Sequence, residues 1–317
     1  MGDLSIGRIG SIGLAIETSP GAANTTAAVY LPYSDAPTIR GHHEPLEDIS
    51  ATSSRFMDKD SVMGKKWSEG DIQILADTVN SGYFWKMALG NELRATALHT
   101  FYMTASGNTP TTATIIHSRG TTDVEQYTYC SIDELNFEIS DGIGTLTASL
   151  QGKFPTSGAA QTETTTSGTV IAFKDYFVQF GGTLTAAAAT ATTPLSAFSL
   201  TVANNLEVIH RSGNPDVSAI RAKGARVTGS YTLFFENTTD RDYYYSLDKK
   251  AMILTASGIG TEYMTVRIPE FRINEAEVET GLDDFYVLTA NFVAEDDADV
   301  GARLLEVKLN NSKSSDY

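Results

Sequence analysis

A single cysteine, Cys130, stands among 317 residues, so no disulfide can form within the chain and no paired-cysteine metal motif exists. In "YTYCSIDEL" it reads as a small buried hydrophobe. No apolar run approaches the roughly 20 residues that a membrane-spanning helix needs. Cations are scarce, with 23 Lys and Arg against 39 Asp and Glu, a formal net charge of −16. No basic cluster is long enough to grip phosphates, which excludes specific nucleic-acid binding. A surface of this sign instead suits DNA sliding past without adhering. The opening "MGDLSIGRIGSIGLAIE" has Asp3 ahead of Arg8, and glycines break its apolar runs. That is unlike a secretory signal, and the expectation is a protein made soluble in the cytoplasm.

The usual marks of catalysis are also missing. There is no HExxH, no GxSxG, no P-loop and no dinucleotide fingerprint. His42, His43 and Glu44 are adjacent, so on an extended chain they alternate sides and do not converge on a metal. His99, His117 and His210 are scattered and read as structural or solvated. In "DDADVGARLLE", Asp297 and Asp299 are spaced like calcium ligands, but Gly301 and Glu306 fall out of register, leaving an acidic turn before a final strand. The expectation is no catalytic residue, no metal and no cofactor.

What is present is β-forming. Thr, Ala, Gly, Tyr and Phe displace Leu, Glu and Lys, which predicts a mostly β protein. "GLAIETSPGAA" reads as a strand whose Ala15 to Glu17 form an edge, with Pro20 and Gly21 turning the chain towards Val29 to Tyr33. Two segments carry helical spacing. In "DTVNSGYFWKMALG", Asp77 caps, Val79, Tyr83 and Met87 recur every fourth residue, and Gly90 terminates. In "ENTTDRDYYYSLDKKA", Thr239 or Asp240 caps, Tyr243, Tyr244 and Leu247 form the stripe, and Lys249 with Lys250 suits the carboxyl end of the dipole.

These elements recur in one order. "GDIQILAD" and "GSYTLFFE" each place a glycine, alternating apolars and an acid before a helix. "ELNFEISDGIGTLTASLQG" and "EFRINEAEVETGLDDFYVLTANFVA" share a hairpin outline, with Asp141-Gly142 as the first turn signal. Strand, helix and hairpin thus occur twice. The Thr/Ser-rich "PTSGAAQTETTTSGT" separates the copies, predicting domains over 1–155 and 170–317 with a linker over 156–169. "VIAFKDYFVQFGG" opens the second copy as a strand, and "TLTAAAATATTPL" reads as a loop. The stretch from Arg40 to Trp67 reads either as a surface loop or as an arm that orders against a neighbouring subunit, anchored by Phe56 and Met57. On the hairpins, period two places Glu134, Asn136, Glu138 and Ser140 on one face, and Glu275, Glu277 and Glu279 on another. Such stripes suit a solvated wall better than an acid and base pair.

On "GLAIETSPGAANTTAAVYLPY", "CSIDELNFEISDGIGTLTASLQGKF" and "AFSLTVANNLEVIHRSGNPDVSAIRAKGARVTGSYTLFFEN", the chain resembles the tail tube proteins of long-tailed bacteriophages. The resemblance implies two tandem β-barrel or β-sandwich domains, each with one flanking α-helix. It implies a structural, non-enzymatic virion protein, assembled in the host cytoplasm, whose rings stack into a tube that conducts the genome. It makes Glu134, Glu138, Glu275, Glu277 and Glu279 lumen candidates, and Ile6, Ile9, Ile12, Arg55, Phe56 and Met57 inter-ring contact candidates. Its implied partners are further copies of itself, the tape measure protein, and the tail terminator and tip proteins, with DNA passing through unbound. Family members that give one domain per chain form six-fold rings, so a duplicated chain is expected to close as a homotrimer. A non-catalytic binding module, such as an adhesin or capsid decoration protein, and a carbohydrate hydrolase are the alternatives.

Overall fold

The computed structural model describes residues 10–47, 61–107, 109–120, 123–140, 142–159, 161–163, 168–235, 238–258, 260–279, 285–296 and 303–317. The first half holds β1 (Ser11–Ile16), β2 (Val29–Leu31), β3 (Arg40–Glu47), β4 (Ser61–Leu75), α1 (Ser81–Leu89), β5 (Asn91–Ala95), β6 (Leu98–Tyr102), β7 (Ala113–Ser118), β8 (Val124–Ile139), β9 (Thr145–Gly152) and β10 (Thr156–Ser157). The second holds β11 (Tyr176–Gly181), α2 (Leu184–Ala188), β12 (Ala197–Ala203), β13 (Leu206–Arg211), β14 (Asn214–Ala222), β15 (Arg226–Phe234), α3 (Thr239–Ser246), β16 (Lys250–Ser257), β17 (Tyr263–Glu279), β18 (Val287–Ala294) and β19 (Glu306–Asn310).

The protein is mostly β, as its composition predicts. One antiparallel sheet runs in the order β3, β4, β9, β8, β12, β15, β18, β17 and so crosses from the first half into the second. The crossing is the pairing of β8 with β12, from Ile139 opposite Phe198 to Glu134 opposite Ala203. The amino-terminal part of β8 leaves this sheet to pair with β7, and β7 continues to β1 and β2. The amino-terminal part of β17 likewise pairs with β16 and β19, and β16 continues to β11. Each half is thus a sheet bent across a shared core. Neither half closes into a barrel among the described residues, because the long sheet ends at β3 and at β17.

The repetition seen in sequence extends to the register. Gly70 of β4 lies opposite Leu150 of β9, and Gly229 of β15 lies opposite Phe292 of β18. A Cβ at Gly70 would fall 2.4 Å from the Ile39 Cα, and one at Gly229 would fall 2.3 Å from the Ser199 carbonyl oxygen. Both positions need glycine so that the next strand can approach. The irregularities repeat too. Register shifts between Ile132 and Glu134 against β9, and between Ile273 and Glu275 against β18, put one extra residue, Asp133 or Asn274, at matching places.

Helix α1 begins after Asp77, whose carboxylate accepts the backbone N–H groups of Val79, Asn80 and Ser81. Burial pushes the Asp77 carboxyl up from its ordinary value, and these hydrogen bonds oppose the rise. Gly90, at φ 85°, ends the helix. Helix α3 departs from the expectation at its end. Leu247 is not part of an apolar stripe; it adopts a left-handed conformation after the last turn and is 59% exposed. Lys250 does not serve the helix terminus but opens β16, buried over the rings of Phe180 and Tyr243 at 4.5 Å.

Two other expectations change. The stretch from Arg40 to Trp67 is not a loop at its ends: β3 and β4 pair as an antiparallel arm, and residues 48–60 lie outside the described residues. "TLTAAAATATTPL" contains α2, capped by Thr183, whose hydroxyl accepts the Ala186 N–H, and packed through Leu184 and Ala187 on Ala251 and Ile253. β1 lies between β2 and β7 only as far as Leu14; at Ala15 and Ile16 it pairs with β7 alone, so among the described residues its other side is an edge there. The turn that follows is as expected, with the Glu17 carboxylate accepting the Gly21 N–H.

The halves share one apolar core, in which Trp85 and Phe137 join Phe198, Phe271 and Phe292. They also exchange strands. The hairpin β5–β6, from the first half, pairs with the carboxyl-terminal strand β19. The segment leading into β11 in turn packs on the first half, with the Ile171 N–H donating to the Ala76 carbonyl at 3.0 Å.

Candidate lumen face

Alternation along the eight-stranded sheet separates an apolar side from a polar one. Leu135, Phe137 and Ile139 of β8 are buried, while Glu134 and Glu138 are exposed and Asn136 is half-buried. On β17 the exposed Glu275, Glu277 and Glu279 occupy the corresponding places, with Asn291 donating to Glu275 at 2.7 Å. The hairpins of both halves therefore bring all five glutamates to the polar side of one sheet.

Short hydroxyl and amide side chains fill the spaces between these acids. Ser149 donates to Asp71 at 2.6 Å, Gln73 to Thr147 at 3.2 Å and Thr201 to Asn136 at 2.5 Å. Ser199 meets Ser230 at 2.9 Å, and Thr232 meets Thr289 at 3.3 Å. The surface is therefore hydrophilic and mainly acidic. Sequence reasoning missed Glu69 and Asp71 on β4, although the alternation in "EGDIQIL" was the signal that could have found them. It also missed Arg40, and His42, which stacks on Trp67 with centroids 5.6 Å apart and lies 3.5 Å from Glu69.

The remaining candidates separate in two ways. Ile12 is fully buried in its own chain, between Leu31 of β2 and His117 of β7, so its side chain is core and offers nothing to another ring. Ile6, Ile9, Arg55, Phe56 and Met57 lie outside the described residues, as do Asp297, Asp299 and Gly301. The strands that lead to residues 48–60 nonetheless expose Leu46, Val62 and Met63, each by more than half.

Other titratable groups are held in structural roles. Glu306 is buried beside Arg267, Arg303 and Lys308; burial would raise its carboxyl, but the neighbouring cations hold it below its ordinary value. His99 is buried against Glu92 at 2.7 Å, and burial pushes the Cys130 thiol up. Among the described residues no cluster of three metal-ligating side chains occurs.

No curated protein matches the chain. A family model described as phage tail tube protein matches residues 7–302. That match covers both hairpins, both strand copies and the arm, and with it the chain belongs to the phage tail tube protein family.

Proposed function

We propose that the chain polymerises as stacked rings into the tail tube through which a phage genome passes, and that three chains complete each ring. The observation that carries this reading is the sheet itself. Two copies of one four-stranded unit, β3-β4-β9-β8 and β12-β15-β18-β17, are joined edge to edge with their acids on the same face. Two such units per chain make six per trimer, in pseudo-six-fold symmetry. Closing the sheet leaves no free edge on the wall and turns Glu134, Glu138, Glu275, Glu277 and Glu279 towards the passing DNA. Repulsion from the phosphates keeps the DNA from adhering.

The exposed Leu46, Val62 and Met63 support the arm as the contact between rings, with residues 48–60, including Arg55, Phe56 and Met57, at its end. Assembly in the host cytoplasm, and junctions with the tape measure, terminator and tip proteins, belong to the same reading.

Electron microscopy of the concentrated protein is expected to show tubes whose mass per unit length gives three chains per ring. Six chains per ring would overturn the trimer. Removing residues 48–60 is expected to leave single rings; unaltered tubes would exclude the arm from stacking. Glu134→Lys with Glu138→Lys is expected to preserve tubes and slow DNA delivery. Normal delivery through tubes carrying both lysines would remove these residues from the lumen.

A further inference from the structure

The two halves share a four-stranded unit, but their outer edges have different fates. The β8 edge of the first unit is covered by β12 of the second. The corresponding edge of the second unit, along Arg272–Glu279 of β17, pairs with β18 on one side and with no described strand on the other. At the opposite end β3, the counterpart of β12, pairs only with β4 among the described residues. The chain therefore carries one finished junction and the two halves of another.

From the finished junction the second can be written residue by residue. Gly229 lies opposite Leu200 on β12. On the first unit Gly70 sits against Ile39, and the Thr38 N–H donates to the Asp71 carbonyl at 3.0 Å, continuing the pairing that sets Arg40 opposite Glu69. Ile39 is thus the counterpart of Leu200, and Arg40 that of Thr201. The matching bulges make Glu275, Glu277 and Val278 the counterparts of Glu134, Asn136 and Phe137. Within the chain, Thr201 faces Asn136 and Leu200 faces Phe137.

We infer that β3 of one chain adds to the free edge of β17 of a second copy in this register, placing Arg40 opposite Glu277, His42 opposite Glu275 and Ile39 opposite Val278 of the neighbouring copy. This rests on the tube reading above and assigns its subunit seam. Two observations beyond the pairing support it. Opposite charges meet where the internal junction has a neutral Thr201 and Asn136 pair. The apolar exposure also matches: Val278 is 37% exposed, whereas Phe137, covered by β12, is fully buried. Phe234, Tyr245 and Tyr286, also in the second half, are each more than half exposed.

Arg40→Cys with Glu277→Cys tests the register, since these positions lie on opposite edge strands of one chain and native Cys130 is buried. Oxidised tubes of this variant are expected to yield covalently linked oligomers on a non-reducing gel. Tubes that cross-link through Thr38→Cys or His42→Cys with Glu277→Cys, and not through the 40/277 pair, would overturn the register. Tubes that cross-link through none of the three would overturn the seam and leave the tube standing. A wild-type chain that never forms tubes would overturn the tube reading and the seam with it. As a second measurement, Arg40→Glu is expected to raise the concentration needed for assembly roughly tenfold, and adding Glu277→Arg to restore it. Both side chains are exposed, so melting temperature should be unchanged in every variant. Failure of the reversed pair to rescue would overturn the inference.

Discussion

The two halves of this chain are one design in two surroundings. In the first, the hairpin β8–β9 is capped by β12, and Asn204 from the second half donates to the carbonyls of Ala88 and Ile132. Helix α1 is buried there along nearly its whole length. In the second, the hairpin β17–β18 ends in an open edge, and α3 leaves Tyr245 71% exposed. The arms contrast as well. The first projects Leu46, Val62 and Met63, whereas the second, β13–β14, folds back so that Val217 and Ile220 pack with Tyr129. The same backbone plan thus serves once as interior and once as surface, and the side chains record which. Where the chain covers its own edge Phe137 is fully buried, and at the open edge the equivalent residue is the smaller Val278, 37% exposed.

Truncating matched residues gives the largest expected effect on this contrast. Phe137 and Val278 occupy equivalent places, the one fully buried against Trp85 and Phe198 and the other partly exposed. Phe137→Ala is expected to cost about 3–5 kcal/mol of folding stability. Val278→Ala is expected to cost less than about 1 kcal/mol in the isolated chain while weakening assembly. Urea unfolding of the unassembled protein reads the first effect, and the concentration dependence of tube formation reads the second. Equal losses in unfolding would mean that the second edge is already covered within the chain.

Much of this contrast is legible in sequence, and the part that is not has a physical cause. The stripes Glu134-Asn136-Glu138 and Glu275-Glu277-Glu279 show directly because a half-buried strand writes its faces at period two. The copied glycines show because close strand approach tolerates nothing else. The bulges at Asp133 and Asn274 do not show, since a one-residue register shift depends on the partner strand. Nor does the pairing of β8 with β12, or of β6 with β19, because contacts between distant segments are set by the shared core and leave no local pattern. Ile12 misled for a related reason. Its apolar character identifies a buried residue, but not whether its own chain or another buries it.

A smaller effect sharpens the comparison through pH. His117 of β7 lies two residues beyond Ile115, and Leu254 of β16 lies two beyond Met252. Ile115 and Met252 are counterparts in the bulged pairings with β8 and β17, so the first half carries a histidine where the second carries a buried leucine. Burial, with Arg119 adding to it against Glu125 and Asp123, lowers the His117 imidazole to about 4. Below the unfolded histidine value of roughly 6.5, the unfolded chain takes up a proton that the folded chain refuses. Stability is therefore lost as pH falls from that value towards 4, by up to about 1.4 kcal/mol for each pH unit. His117→Leu, which copies the second half into the first, is expected to remove this component. Urea midpoints measured at pH 7, 6 and 5 should fall less steeply in the variant than in the parent chain. Parallel slopes would show that His117 takes up its proton as readily in the folded protein as in the unfolded chain, so that its place in the first half is open to a charge.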